Sequence, residues 1–199
     1  WRAWAGPSQD RPVEEWWAKR AADLVRDGVT REQLRGPSFE RRGQGLHRPP
    51  GLDLAPDVAR VNDAVGLLRP GQAIGGWASL RLQGNAFFTG WSSQGTRPAL
   101  VHCGPRTQLR RREIVEPFRG VTYPDELLHL EGIAMTTMAR AAFDEARMAP
   151  SVDEAVVAFD MAVSATHGLP HTSIATIRRV IDSHFKVRGL VQARSALDL

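Results

Sequence analysis

The stretch "GVTREQLRGPSFERRGQGLHRPPG", Gly28 to Gly51, decides how the first part of this chain is read. Thr30 and Gln33 stand three apart, the spacing of a capping box that opens a short helix, and Gly36-Pro37 ends it. Phe39 and Leu46 then bracket Gly43 and Gly45, which predicts a tight β-hairpin carrying Arg41, Arg42, His47 and Arg48. Just upstream, "VEEWWAKRAADLVRD" (13–27) sets Val13, Trp16, Trp17, Ala21, Leu24 and Val25 at helical spacing, with Gly28 as the stop. A helix, a short helix and a basic hairpin make the outline of a winged helix-turn-helix.

Pro49-Pro50-Gly51 reads as a boundary, giving a module over 1–50 and a second domain over 51–199. Residues 55–68 predict an amphipathic helix with Val58, Val61, Val65 and Leu68 inward, closed by Arg69-Pro70-Gly71. A brief apolar entry at Ala73-Ile74 leads to a helix from about Trp77 to Gln83. Residues 98–103, 113–123 and 127–136 hold short β-branched and apolar runs, from which a small antiparallel sheet is expected. The last third reads as helices. Thr136 or Thr137 caps one, Ser151 and Glu154 open another that Gly168 closes, and two more follow to form a helical bundle. The fold class is therefore α+β: a winged helix, then a mixed domain with a helical C-terminal part.

Charge is distributed unevenly. Of 26 basic residues only Lys19 and Lys186 are lysine, a bias that arginine-rich codon usage alone can produce. Residues 1–50 are net +3, 51–96 neutral, 97–119 net +4 and 120–199 net −3. A positive field confined to two segments points to an anionic partner such as nucleic acid. No run of about 18 apolar residues suggests a membrane span, and no export signal is visible. The sequence opens on Trp1 rather than Met, consistent with a start upstream. With one cysteine, Cys103, the chain fits a reducing cytoplasm and excludes an internal disulfide and a zinc ribbon.

Little in the residues suggests chemistry. Neither lysine belongs to a phosphate loop, and neither follows an acid by two positions, as a common class of metal-dependent nuclease requires. Gly75-Gly76 before the Trp77 helix fits an anion-binding helix start or, more plainly, close packing. His167 and His171 have metal-ligand spacing, but Gly168 and Pro170 between them make a loop. His102 and Cys103 are neighbours on an expected strand, so they point to opposite faces and do not cooperate. Asp144-Glu145 and Asp153-Glu154 read as helix-start or solvent-face acids. No catalytic residue, metal or cofactor is expected.

The order of features resembles the actinobacterial AbiEi-like abortive-infection antitoxins of type IV toxin–antitoxin systems, over roughly residues 20–199. The pieces are Gly28 to Leu34, Phe39 with Arg41 and Arg42, Gly45-Leu46-His47, "AIGGWASLRLQG" (73–84) and "GPRTQLRRREI" (104–114). Further on come Gly132, Ile133, Thr136, Arg140, Phe143 and Asp144, then "DEAVVAFDMAV", Arg188-Gly189 and "ARSALDL". The resemblance implies DNA binding through the winged helix, with autoregulation or toxin neutralisation. In many members a nuclease-like domain of the very-short-patch-repair type follows the "ALDL" position, so the front portion of a DNA-processing enzyme is a second reading.

The residues expected to meet double-stranded DNA are Arg31, Arg35, Arg41, Arg42, His47 and Arg48 in the winged helix, extended by Arg106, Arg110, Arg111, Arg112 and Arg119. A third reading is a module that holds a toxin or a second copy of itself, with Trp16, Trp17, Trp77 and Trp91 as anchors or as plain core.

Overall fold

The computed structural model describes residues 17–107, 109–165 and 171–199, and of Gln44 only the backbone. Trp16 and Val13, and the His167–Pro170 stretch with its expected helix stop and half of the histidine pair, lie outside the described residues. The chain is mixed α+β.

The first elements are β1 (Lys19–Arg20), α1 (Ala21–Arg26), α2 (Arg31–Arg35), β2 (Glu40–Arg41), a 3-10 turn at Gly43–Gly45, and β3 (Leu46–Arg48). The helix expected over 13–27 is shorter than its apolar spacing suggested. It starts at Ala21, because Lys19 and Arg20 pair antiparallel with His47 and Leu46. β3 also pairs with β2, so the small sheet has the order β1-β3-β2 with β3 in the centre. The capping box of α2 is formed in both directions: Thr30 Oγ1 accepts from the Gln33 N–H, and Gln33 Oε1 from the Thr30 N–H.

The expected junction at 49–51 does not separate two cores. Trp17, Ala18 and Leu46 are continuous with Val61, Ala64 and Leu67 of α3 (Pro56–Val65) and the residues that follow it. The Ala18 N–H donates to Asn62 Oδ1 at 2.8 Å, and Arg20 donates to the Leu67 carbonyl. Gly66 lets this seam close: a Cβ there would stand 2.1 Å from the Ala18 oxygen.

The second sheet contains β4 (Ala73–Gly75), β7 (Ala99–His102), β8 (Val115–Phe118), β9 (Leu127–Leu130) and β10 (Ile133–Thr136), in the order β8-β7-β4-β10-β9. It is mixed rather than antiparallel. β4–β7 and β9–β10 run antiparallel, whereas β4–β10 and β7–β8 are parallel. Short runs read one at a time carry no information on direction; the long β4-to-β10 connection, which includes α4 (Gly76–Leu82), makes a parallel pairing possible. A small hairpin of β5 (Trp91–Ser92) and β6 (Gly95–Thr96) stands apart. β9 and β10 are joined by a two-residue turn in which Glu131 (φ +51°) and Gly132 (φ +79°) are both left-handed.

Helices α4 and α5 (Met138–Met148) lie against the sheet; α6 (Val152–Val163), α7 (Ile174–Ser183) and α8 (Leu190–Leu197) pack around α5. Ile74, Leu80, Val101, Met135, Phe143, Phe159, Ile177 and Ile181 fill the core between them. Among the described residues no helix is long and apolar enough to cross a membrane.

Candidate nucleic-acid interface

The structure divides the expected DNA-contacting residues into two groups. Arg31 and Arg35 are exposed on α2, whose Leu34 is buried, and Arg41 is exposed on the edge strand β2. None of the three has a carboxylate partner among the described residues. Arg42, His47 and Arg48 do not join them. Arg42 grips both oxygens of Asp63 at 3.1–3.3 Å and Glu40 at 3.0 Å, and Arg48 donates to the second oxygen of Glu40 at 2.8 Å. The Arg48 hydrogen bond outweighs the upward push of partial burial and, with the charges of Arg48 and Arg42, holds the Glu40 carboxyl below its usual range. His47 and Arg48 are buried because β3 is the central strand. Arg42 therefore ties the module to α3, and Arg48 ties β3 to β2, instead of adding to a free basic face; Glu40 and Asp63, the acids that hold them, lie 2 and 21 residues from Arg42.

In the second segment Arg110, Arg111 and Arg112 are all exposed, as is Arg106. Arg111 has a loose ion pair with Glu116 at 3.5 Å, and Arg119 is held by the Leu109 carbonyl at 2.6 Å. This segment lies beside the N-terminal module. A Cβ on Gly43, in the turn between β2 and β3, would stand 3.8 Å from Ile114 Cδ1. Burial, aided by the positive charges of Arg69 and Arg112, draws the Arg20 guanidinium below its ordinary pKa, while Asp23 opposes the shift. Arg69 and Arg112 thus both act electrostatically on Arg20 from other parts of the chain. Arg20 and Arg69 gave no signal in the sequence, where Arg69 reads only as a helix stop.

A different cluster occupies the interior. Asp144 and Glu145 are not solvent-face acids: both are buried in α5, Asp144 with no exposed area. Asp144 Oδ2 is 2.7 Å from His102 Nε2 and 3.2 Å from Arg140 Nε, and its Oδ1 accepts from Arg147 Nε at 2.8 Å. Arg140 reaches on to Glu126 at 2.7 Å, and the other oxygen of Glu126 meets His184 at 2.6 Å. His102 Nδ1 lies 2.7 Å from the Thr122 hydroxyl. Hydroxyl, imidazole and carboxylate are in line, as in an acid–base relay. Two arginines also neutralise Asp144, however, and the arrangement acts as a brace from β7 to α5 and α7.

Glu145 explains the Gly75-Gly76 pair. Its Oε1 accepts from the Trp77 N–H at 2.9 Å, so the anion at the start of α4 is the protein's own carboxylate. Gly76 is left-handed (φ +54°), and a Cβ there would stand 2.8 Å from that oxygen; one on Gly75 would meet the His102 ring at 2.5 Å. Close packing is the reason for the glycines. Of the tryptophans, Trp17 and Trp77 are buried, while Trp91 is 59% exposed and receives the Arg60 guanidinium on its ring at 5.6 Å.

The brace gives stability a definite pH dependence. Burial, opposed by Asp144, holds His102 below its ordinary value of 6.5. Burial pushes Asp144 upward, but His102, Arg140 and Arg147 outweigh it and hold the carboxyl far below 3.8. In both cases the unfolded chain takes up protons first, so stability falls on acidification. The His102 contribution declines as pH drops below about 6.5, and the Asp144 contribution below about 3.8. Urea midpoints measured at stepwise pH should fall across the first window, and a His102→Gln variant should lose most of that slope.

Compared with known proteins, the chain matches no family model and no curated protein.

Proposed function

We propose that the protein is a cytoplasmic DNA-binding regulator of the antitoxin type, using residues 17–48 as a winged helix together with the 104–114 segment. The observation that supports this most is the contact of the Gly43–Gly45 turn with Ile114, which brings the β2–β3 hairpin beside the segment that carries the exposed Arg106, Arg110, Arg111 and Arg112. The strand–helix–helix–hairpin order, with β3 between β1 and β2, supports the winged-helix part of the reading. In this arrangement α2 is the segment for the major groove, and it is short. Base contacts are then few, and phosphate contacts from guanidinium forks dominate affinity.

A titration of labelled duplex at several salt concentrations tests this. Log affinity should fall linearly with log salt, with a slope of about −0.9 for each phosphate contacted. Changing Arg110, Arg111 and Arg112 together to Ala should flatten the slope and weaken binding for every duplex alike. Absence of salt-dependent binding would leave the second use, contact with a toxin or a second copy. That use is favoured by the exposed apolar group Val121, Tyr123 and Phe185 around the end of α7.

A further inference from the structure

Between the turn that precedes β4 and the loop that leaves β7 the molecule has an open cleft of about 460 Å³, walled by Arg69–Gln72 on one side and Cys103–Thr107 on the other. Gln72 is nearly buried and ties the two walls together, its Nε2 donating to Thr107 Oγ1 at 3.1 Å while its Oε1 accepts from the Arg69 N–H at 3.0 Å. Arg69 and Arg106 are the charged residues of the lining, and no acid lines it. Neither arginine has a carboxylate partner among the described residues. Two exposed guanidinium groups thus line a concave surface with no acid in its lining, an arrangement that favours an anion.

We propose that this cleft is a phosphate seat for the nucleic-acid backbone, with Arg69 and Arg106 as its two direct ligands. The proposal rests on the DNA-binding reading above and adds a site that the wing does not contain. Occupancy of the cleft would fix how the duplex continues past the winged helix. A free phosphate offers the same oxygens but only one set of them. A backbone offers successive phosphates, which matches a row of arginines better than a single anion does.

Cys103 provides a local reporter, because it lines the cleft and is the only cysteine of the chain. Its thiol donates to the Phe118 carbonyl at 3.2 Å, and burial raises its pKa, so a neutral alkylating reagent such as iodoacetamide will modify it slowly. The experiment follows that rate for the full chain alone, with a short duplex, and with inorganic phosphate. Duplex binding is measured in parallel by anisotropy, on wild type and on Arg69→Gln/Arg106→Gln. Expected are a several-fold slowing by duplex and little by phosphate. The double variant should lose the slowing and show a salt slope shallower by roughly two. Both arginines are exposed, so an unchanged thermal melt serves as the folding control.

A duplex that binds wild type while the Cys103 rate stays the same overturns the seat and leaves the DNA reading standing. Protection by phosphate with none by duplex overturns the backbone as occupant. No binding of duplex to wild type at any salt removes the DNA reading and the seat with it.

Discussion

Arg140→Met should cost about 3–5 kcal/mol, the usual penalty for stranding a buried charge, and leave a chain barely folded, since domains of this size are stable by only about 5–15 kcal/mol. The guanidinium is fully buried and joins two buried carboxylates: Glu126 at 2.7 Å and Asp144 at 3.2 Å. It also donates to the Val121 carbonyl at 3.3 Å and lies over the rings of Phe118 and Phe143. Methionine replaces the stem and none of the donors. Glu126 would keep His184 and the Tyr123 N–H, and Asp144 would keep His102 and Arg147. One positive charge would nevertheless be gone from a site with two carboxylates. The urea midpoint reads the loss directly, and an unchanged midpoint would contradict the brace. Changing Asp144 to Asn in the same background should return part of the loss, because the two residues act on one another.

Gly66→Ala is the second large effect, and it is local. The residue has an ordinary helical backbone, so alanine would by itself stabilise by about 0.4–1 kcal/mol through the unfolded chain. Against this, the new methyl would lie 2.1 Å from the Ala18 oxygen, 2.8 Å from its carbonyl carbon and 3.1 Å from Leu46 Cδ2. A backbone strand must move, and overpacking of this kind costs about 1–3 kcal/mol or more. The clash wins. Its effect falls on the seam between residues 17–48 and α3, where the Ala18 amide is bonded to Asn62. Amide exchange at Ala18 should accelerate strongly while that at Met135, in the centre of the larger sheet, changes far less. Equal acceleration at both would mean that the module and the sheet open as one unit. If the proposed function holds, DNA affinity should fall with the displaced module, although no arginine has been changed.

The α2 cap and the helical last third were legible in the sequence because each depends on residues within a few positions. Thr30 and Gln33 make their box wherever the chain goes next, and Ser151 accepts from the Glu154 N–H for the same reason. What was not legible depends on partners far along the chain. Arg42 and Arg48 look like a basic wing until Asp63 and Glu40 are placed against them. Asp144 looks like a surface acid until His102, 42 residues earlier, and Arg140 surround it. Strand direction has the same character: β4 and β10 are parallel because of what lies between them, not because of what they contain. The cleft arginines were hidden for a related reason. Arg69 lies in a three-residue helix stop, and nothing nearby in sequence says that it will line a cleft with Arg106, 37 residues on.

The carboxylate of Glu145 at the first turn of α4 has a consequence for the order in which the chain assembles. α4 is seven residues long, too short to persist alone in water. The Trp77 N–H at its start is bonded to Glu145 Oε1, 68 residues away, and Arg97 holds the other oxygen of that carboxylate at 2.6 Å. The helix can therefore gain that bond only after α5 has been made and brought to the sheet. α4 therefore draws its stability from the closure of α5 on the sheet and not from its own length.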